Sequence, residues 1–201
     1  LVRPGVRELE LAAEIEFRLK RSGARAAAFE TIVASGPRSA LPHGRASAKR
    51  LKKNELVIFD LGAILDDYHS DMTRTVYLGR PPARVKRIYG AVKEALEHAQ
   101  AVVRAGVPSA RVDAAARGHL ERQGLGAYFV HGTGHGLGLE IHEEPRVSST
   151  AETRLEVGNV ITLEPGVYVP GWGGVRIEDV VAVRPRGTEL LTPLSRELMC
   201  L

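Results

Sequence analysis

Residues 2–23 read VRPGVRELELAAEIEFRLKRSG, and residues 103–124 read VRAGVPSARVDAAARGHLERQG. At one constant offset Val2/Val103, Arg3/Arg104, Gly5/Gly106, Val6/Val107, Ala13/Ala114, Leu19/Leu120, Arg21/Arg122 and Gly23/Gly124 coincide. Each copy places a glycine ahead of a helical pattern and a glycine cap behind it. A spacing near a hundred residues is far longer than the roughly 20–50 of stacked repeats, so the chain is expected to contain a duplicated half-domain. The half-repeats run over about residues 1–80 and 103–201.

The second part of each half corresponds more loosely. NELVIFDLG at 54–62 lines up with GNVITLEPG at 158–166, which sets Asp60 against Glu164. Each segment then passes into a second strand, expected over residues 68–77 and 174–183 and carrying Asp71 and Glu178 respectively. Asp60 ends LVIFD, a pattern that reads as a buried strand, and an unpaired carboxylate there is costly. With the first hairpin turning at 65–68, Asp60 and Asp71 are expected nearly opposite each other, with Cβ atoms about 4.5–5.5 Å apart. Like charges at that range repel, so one is protonated or a cation lies between them. The second hairpin repeats the arrangement around a longer tip, PGWGG.

Between the halves, residues 81–106 read as an amphipathic helix with Val85, Ile88, Val92, Leu96, Ala99 and Val103 on one face. With no linker in view, residues 1–201 are expected to form a single α+β domain. The two halves would share one curved antiparallel sheet related by a pseudo-twofold axis, with outer helices against its convex face. The composition, 44% hydrophobic and 26% charged, argues against disorder. No apolar run nears the roughly 20 residues of a membrane span, so no membrane partner is expected. The net charge of +4 raises nucleic acid as a partner, but basic residues alternate with acidic ones, as in RELELAAEIEFRLKR, and this excludes a basic binding face. The single cysteine, Cys200, fits a reducing, cytoplasmic location. Because the chain starts at Leu1, a shortened N-terminus is also expected.

Three histidines, His131, His135 and His142, cluster in HGTGHGLGLEIHEEP, where the glycines permit close approach of backbone and substrate. Asp60, Asp71, His135, Glu164 and Glu178 are the candidate metal ligands. Four carboxylates and one imidazole suit two divalent cations, since a single catalytic zinc usually takes three protein ligands. Oxygen-rich ligation with one nitrogen favours manganese, cobalt, iron or zinc over calcium. A pair of such ions activates water and polarises a carbonyl, which implies hydrolysis.

DLGAILDDYHSDMTRT, HGTGHGLGLEIHEEP, LEPG and RIED, in this order, resemble the metallopeptidase family with the pita-bread (creatinase/aminopeptidase) fold across essentially the whole chain. ASGPRSALPHG and VAVRPRGTELLTPLSREL are most similar to the Xaa-Pro peptidases within it, the prolidases and proline aminopeptidases. The resemblance implies that Asp60 and Asp71 hold two divalent metal ions, manganese first among the candidates, with Asp71 and Glu178 bridging and His135 on one ion. Glu164 would be both ligand and proton carrier for the attacking water. His131 and His142 would contact the substrate or the tetrahedral intermediate, His43 would line the proline pocket, and Arg176 would orient ligands or substrate. The implied substrate is a peptide with proline at its second position, cleaved before that proline by a homodimeric enzyme.

The family's N-terminal domain is expected to be absent from residues 1–201, and Arg38 stands where a small polar amide is usual, adding charge near the entrance. Methionine aminopeptidase is the alternative activity, disfavoured by Pro42 in place of a cysteine and by LEIHEEP. A catalytically inactive binding protein on the same fold would be expected to lack several ligands, and all five are present. Asp66, Asp67 and Asp179 are expected in turns or at the surface, and Trp172 at the hairpin tip or cleft rim.

Overall fold

Gly5 and Gly23, at φ 91° and 103°, bracket helix α1 (Glu8–Arg21) in the computed structural model, which describes residues 1–201. Gly106 and Gly124, at 83° and 70°, bracket helix α3 (Ser109–Arg122) in the same way. The duplication extends to hydrogen bonds. Gly5 N–H donates to Leu51 O at 2.8 Å and Leu51 N–H returns to Val6 O at 2.9 Å. Gly106 N–H donates to Leu155 O at 2.7 Å and Leu155 N–H returns to Val107 O at 2.9 Å. Even the flanking arginines match, Arg50 donating to Gly5 O and Arg154 to Gly106 O, both at 2.7 Å.

The first half contains strands β1 (Ala26–Ala27), β2 (Ile32–Ser35), β3 (Glu55–Leu61), β4 (Ala63–Leu65), β5 (Tyr68–His69) and β6 (Met72–Leu78). Strand β3 lies between β2 and β6, antiparallel to both, while β1, β4 and β5 form a separate small sheet. Helix α2 (Ala83–Val102) crosses to the second half, stopping short of the full 81–106 span. There, β7 (Gly134–Gly136), β8 (Glu143–Val147), β9 (Val160–Leu163), β12 (Asp179–Arg184) and β13 (Gly187–Leu190) assemble in the order β13-β12-β9-β7-β8. Strands β10 (Gly166–Val169) and β11 (Gly173–Arg176) form a hairpin of their own. Strand β14 (Met199–Cys200) joins β6 in parallel, the one exception to antiparallel pairing.

The ladder is therefore interrupted where a single continuous sheet was expected, and the interruptions carry the acids. Asp71 falls between β5 and β6, and Glu178 between β11 and β12. The first hairpin closes through Leu65 and Tyr68 around Asp66 and Asp67, both with positive φ (48° and 66°), as a two-residue type I′ turn requires. That turn sets Asp60 opposite Thr73, so Asp71 lies two residues further along the strand rather than directly across.

The halves are stitched together at β6 and β11. Thr75 Oγ1 donates to Arg176 O at 2.8 Å and accepts Arg176 N–H at 3.1 Å, and Glu178 N–H donates to Thr73 O at 3.1 Å. Gly174 packs so closely on the first half that a Cβ there would lie 2.1 Å from Ser39 O. Helices α2 and α3 cover the main core, where Val92, Leu96, Val112, Ala116 and Leu120 meet Ile161, Leu163, Val181 and Val183. A smaller core under α1 joins Leu11 to Val33, Leu51, Val57 and Leu78. With both helical layers on the outside, the strand ends and breaks face a common cavity.

Candidate active site

The cavity, of about 230 Å³, is lined by Asp60, Asp71, His135, Glu164 and Glu178 together with His43, His142, Arg176, Phe29, Glu30, Ile32, Arg45 and Ile141. Strand β3 supplies Asp60, the two strand breaks supply Asp71 and Glu178, the end of β9 supplies Glu164, and β7 supplies His135. Asp60, Asp71 and Glu178 retain only 8%, 6% and 1% of their surface. One oxygen on each of these three, Asp60 Oδ1, Asp71 Oδ1 and Glu178 Oε1, is buried without a hydrogen-bond partner. Buried polar atoms of a native protein are otherwise almost always paired. Three orphans around one cavity are what a cation site leaves when only its protein ligands are counted.

The histidine fits that reading. His135 Nδ1 lies 3.0 Å from Gly136 O, an acceptor only, so Nδ1 carries the proton and Nε2 presents its lone pair. Nε2 is 3.6 Å from Asp71 Oδ2 and 3.7 Å from Glu164 Oε1. Asp71, His135 and Glu178 each offer a ligand atom within 4.8 Å of the others. Burial pushes the His135 pKa down to about 4, keeping the ring neutral and able to ligate.

The acids are shifted the other way. Burial, then the charges of Asp60 and Glu164, push Asp71 up to about 9. Burial pushes Glu164 up to about 8 against the pull of Arg176. Glu178 is raised well above the usual carboxylate range by burial and then by Asp71, and Asp60 is raised by burial with Arg176 opposing. Carboxyls packed this densely in a low-dielectric site either hold their protons or ionise against positive charge brought from outside the chain.

Arg176, 2% exposed, supplies part of it from within. Its Nη2 donates to Asp60 Oδ2 at 2.5 Å, its Nη1 to Tyr168 Oη at 2.8 Å and Pro42 O at 2.9 Å, and its Nε to Thr73 Oγ1 at 3.0 Å. Thr73 in turn donates to Glu178 Oε2 at 2.7 Å. Although burial works against it, the surrounding Tyr168 and acids raise the Arg176 pKa further, so its charge is permanent.

His43 is exposed in the turn after the 3₁₀ segment Gly36–Ala40, and His142 stands edge-on to His135 with ring centroids 4.4 Å apart. Both face the cavity. His131 does not line it. Its Nδ1 donates to Gly132 O at 2.7 Å and its Nε2 accepts from Tyr168 Oη at 2.8 Å, so both ring nitrogens are engaged one layer behind the acids. Burial holds its pKa down at about 4.

Tyr168 and Thr73 take part in the site without having been singled out in the sequence. Tyr168 sits in GVYV, where an aromatic on a strand carries no signal that its hydroxyl is used. Asp179, expected in a turn or at the surface, is fully buried and held by Arg74 at 2.7 Å and Arg196 at 2.5 Å. Arg38 is turned away from the entrance, donating to Glu8 at 3.1 Å and to Arg45 O at 2.5 Å. Trp172 packs at the hairpin tip against the main core, under Arg84 at 4.5 Å from the ring centroid.

Residues 1–185 match the model of metallopeptidase family M24. The chain is 49% identical over 195 residues, 97% of its length, to an Xaa-Pro dipeptidase of Pyrococcus furiosus, of which it covers 56%. It superposes in full on an Xaa-Pro dipeptidase from Bacillus anthracis, with a TM-score of 0.98, 46% identity and 56% of that chain covered. It superposes equally on an X-Pro aminopeptidase from Thermotoga maritima, with a TM-score of 0.97, 42% identity and 57% covered. The chain thus spans little more than half the length of the relatives it matches.

Proposed function

Since the chain belongs to metallopeptidase family M24, we propose that it is the catalytic part of a peptidase that hydrolyses the bond before proline in Xaa-Pro dipeptides or at peptide N-termini. The observation that carries the proposal is the set of orphaned oxygens on Asp60, Asp71 and Glu178 around the free Nε2 of His135. The family implies divalent metal binding, and the donor set fits it; two ions, manganese by preference, are held in this reading by Asp60, Asp71, His135, Glu164 and Glu178. Bound there, such ions supply an acidified water and a polarised substrate carbonyl.

The chain's own residues supply the remainder. Glu164, whose side chain keeps 22% of its surface open to the cavity, accepts the proton of the attacking water on a carboxylate oxygen and delivers it to the departing imino nitrogen of proline. His142, beside His135, donates to the carbonyl oxygen as charge develops on it. His43 and the apolar Phe29, Ile32 and Ile141 form the wall against which a proline ring is held. Arg176 fixes Asp60 and, through Tyr168, the ring of His131; a direct contact of His131 with peptide requires exchange of its bond to Tyr168. In this reading the assembled enzyme is a cytoplasmic homodimer.

A panel of Ala-Pro, Ala-Pro-Ala and Met-Ala, each with manganese, cobalt or zinc, tests the activity. Turnover of either proline peptide in preference to Met-Ala is expected, and the ratio of dipeptide to tripeptide separates dipeptidase from aminopeptidase. Preferential cleavage of Met-Ala would overturn the reading.

A further inference from the structure

Besides Asp179, two fully buried carboxylates lie outside the acid cluster, one on each of the duplicated helices: Glu8 on α1 and Asp113 on α3. Glu8 accepts five hydrogen bonds. Ser35 N–H and Oγ reach its Oε1 at 2.8 and 2.7 Å, while Arg38 Nε, Ser47 N–H and Ser47 Oγ reach its Oε2 at 3.1, 3.1 and 2.6 Å. Ser35 and Ser47 flank the segment that carries His43, and Arg38 ties it again through Arg45 O. Asp113 is bonded on the same plan. Thr133 gives it both N–H and Oγ1 at 3.1 and 2.9 Å, and Arg117 grips it at 2.8 and 3.0 Å while donating to His131 O at 2.8 Å and Phe129 O at 3.0 Å. Thr133 O in turn receives Glu164 N–H at 2.7 Å.

In each half, then, one helix carboxylate, hydroxyl residues that donate through both N–H and O–H, and one arginine that also holds a loop carbonyl form a clamp on the histidine-bearing segment. A helix-borne acid collecting this many donors fixes backbone to a rigid element, since charge-assisted hydrogen bonds are about twice as strong as neutral ones. His43 is itself exposed, so its place over the cavity depends on the loop beneath it. Neither acid touches the cavity.

We propose that Glu8 and Asp113 are paired positioning residues, Glu8 for the substrate-facing His43 and Asp113 for the segment from His131 to His135. Its kinetic arm rests on the function proposed above, but its structural arm does not. Histidine-selective NMR of the metal-free protein reads the seven imidazoles separately. Glu8→Gln, which turns an all-acceptor group into one with a competing donor, is expected to shift His43 alone. Asp113→Asn is expected to shift His131 and His135 and leave His43 in place. With metal restored, Glu8→Gln should raise KM for Ala-Pro roughly ten-fold at nearly constant kcat and unchanged metal content, as misplacement of a substrate contact does. Ser47→Ala removes one donor to Glu8, along with the acceptor for Lys49 N–H, and should Glu8→Gln fail to fold it must show the same His43 shift at smaller amplitude. Histidine signals unmoved in these variants, or all seven moving together with a lowered melting temperature, would overturn the proposal. If the wild type cleaves no proline peptide, the functional reading fails while the NMR result still decides this one.

Discussion

The two halves place a strand at the same topological position beside the acid-bearing strand, and the two strands do different things there. Strand β2, antiparallel to β3, gives the cavity Ile32; strand β7, antiparallel to β9, gives it His135. The first half builds an apolar wall and an exposed imidazole in a turn. The second builds a neutral imidazole aimed at carboxylates. Duplication accounts for the paired acids, and the difference between an apolar side and an imidazole-bearing side comes from what the flanking strands carry. The halves are also neutralised unequally, because the only buried arginine at the centre comes from the second half and bonds the acid of the first.

The strongest way to break this comparison is to remove the acid that joins the sides. Asp71→Ala should leave the protein unable to retain metal and lower turnover by more than about a hundred-fold, beyond the loss typical of a group outside the ligand shell. Elemental analysis after gel filtration checks it; two ions per chain in the variant would refute the ligand assignment. Next in size is Arg176→Met, which leaves Asp60 buried without its cation and should destabilise the metal-free protein by about 3–5 kcal/mol. A denaturant midpoint close to wild type would mean that the halves are not held together electrostatically at this point.

Much of this was legible in sequence, for physical reasons. Glycines that need positive φ at both ends of a helix leave a mark that survives divergence, so Gly5, Gly23, Gly106 and Gly124 revealed the duplication. Carboxylates in apolar strands are costly enough that Asp60, Asp71, Glu164 and Glu178 stood out, and all four line one cavity. Register was not legible to the residue, because pairing follows from the centre of the turn between Asp66 and Asp67, and so Asp71 was placed opposite Asp60 where Thr73, two residues on, holds that position. Nor were Tyr168 and Asp113, whose roles come from partners on other elements, such as His131 and Thr133. Arg38 read as an entrance charge because nothing local announces that Glu8, thirty residues earlier, receives it.

A smaller effect sharpens the electrostatic comparison. The metal-free carboxyls of Asp71 and Glu164 sit at about 9 and about 8, against unfolded values of 3.8 and 4.5. Between those limits these two carboxyls keep protons that the unfolded chain has released, which lowers stability as pH rises. His131 and His135, held at about 4 against an unfolded 6.5, act in the opposite sense and offset this up to about pH 6.5, so the net fall runs from there to about pH 9. Chelator-treated protein should therefore melt lower at pH 9 than at pH 5 by several degrees, with added manganese restoring most at the higher pH. Asp71→Asn should flatten that slope more than Glu164→Gln, since the Glu164 side chain is the more exposed of the two. A melting temperature that rises across this window would contradict the assigned shifts.

The least effect is expected at the hairpin tips, where the halves differ in backbone economy. The second-half tip already has glycine at its left-handed position, Gly171 at φ 72°, whereas the first half holds Asp66 and Asp67 at 48° and 66°. Type I′ turns favour Asp-Gly, so Asp67→Gly relieves one unfavourable backbone conformation. It also removes the contact of Asp67 with Arg25, but both side chains are more than half exposed, and such pairs contribute at most about 1 kcal/mol and often nothing. Glycine further loosens the unfolded chain, which offsets part of the gain. The net expectation is a stabilisation of about 0.5 kcal/mol, or a melting temperature about 1–2 °C higher for a chain of this length. Because the tip lies beyond the ladder that holds Asp60, turnover and metal content should be unchanged. A loss of metal in Asp67→Gly would show instead that the turn sets the position of Asp71, and that the first half depends on its hairpin more than the second.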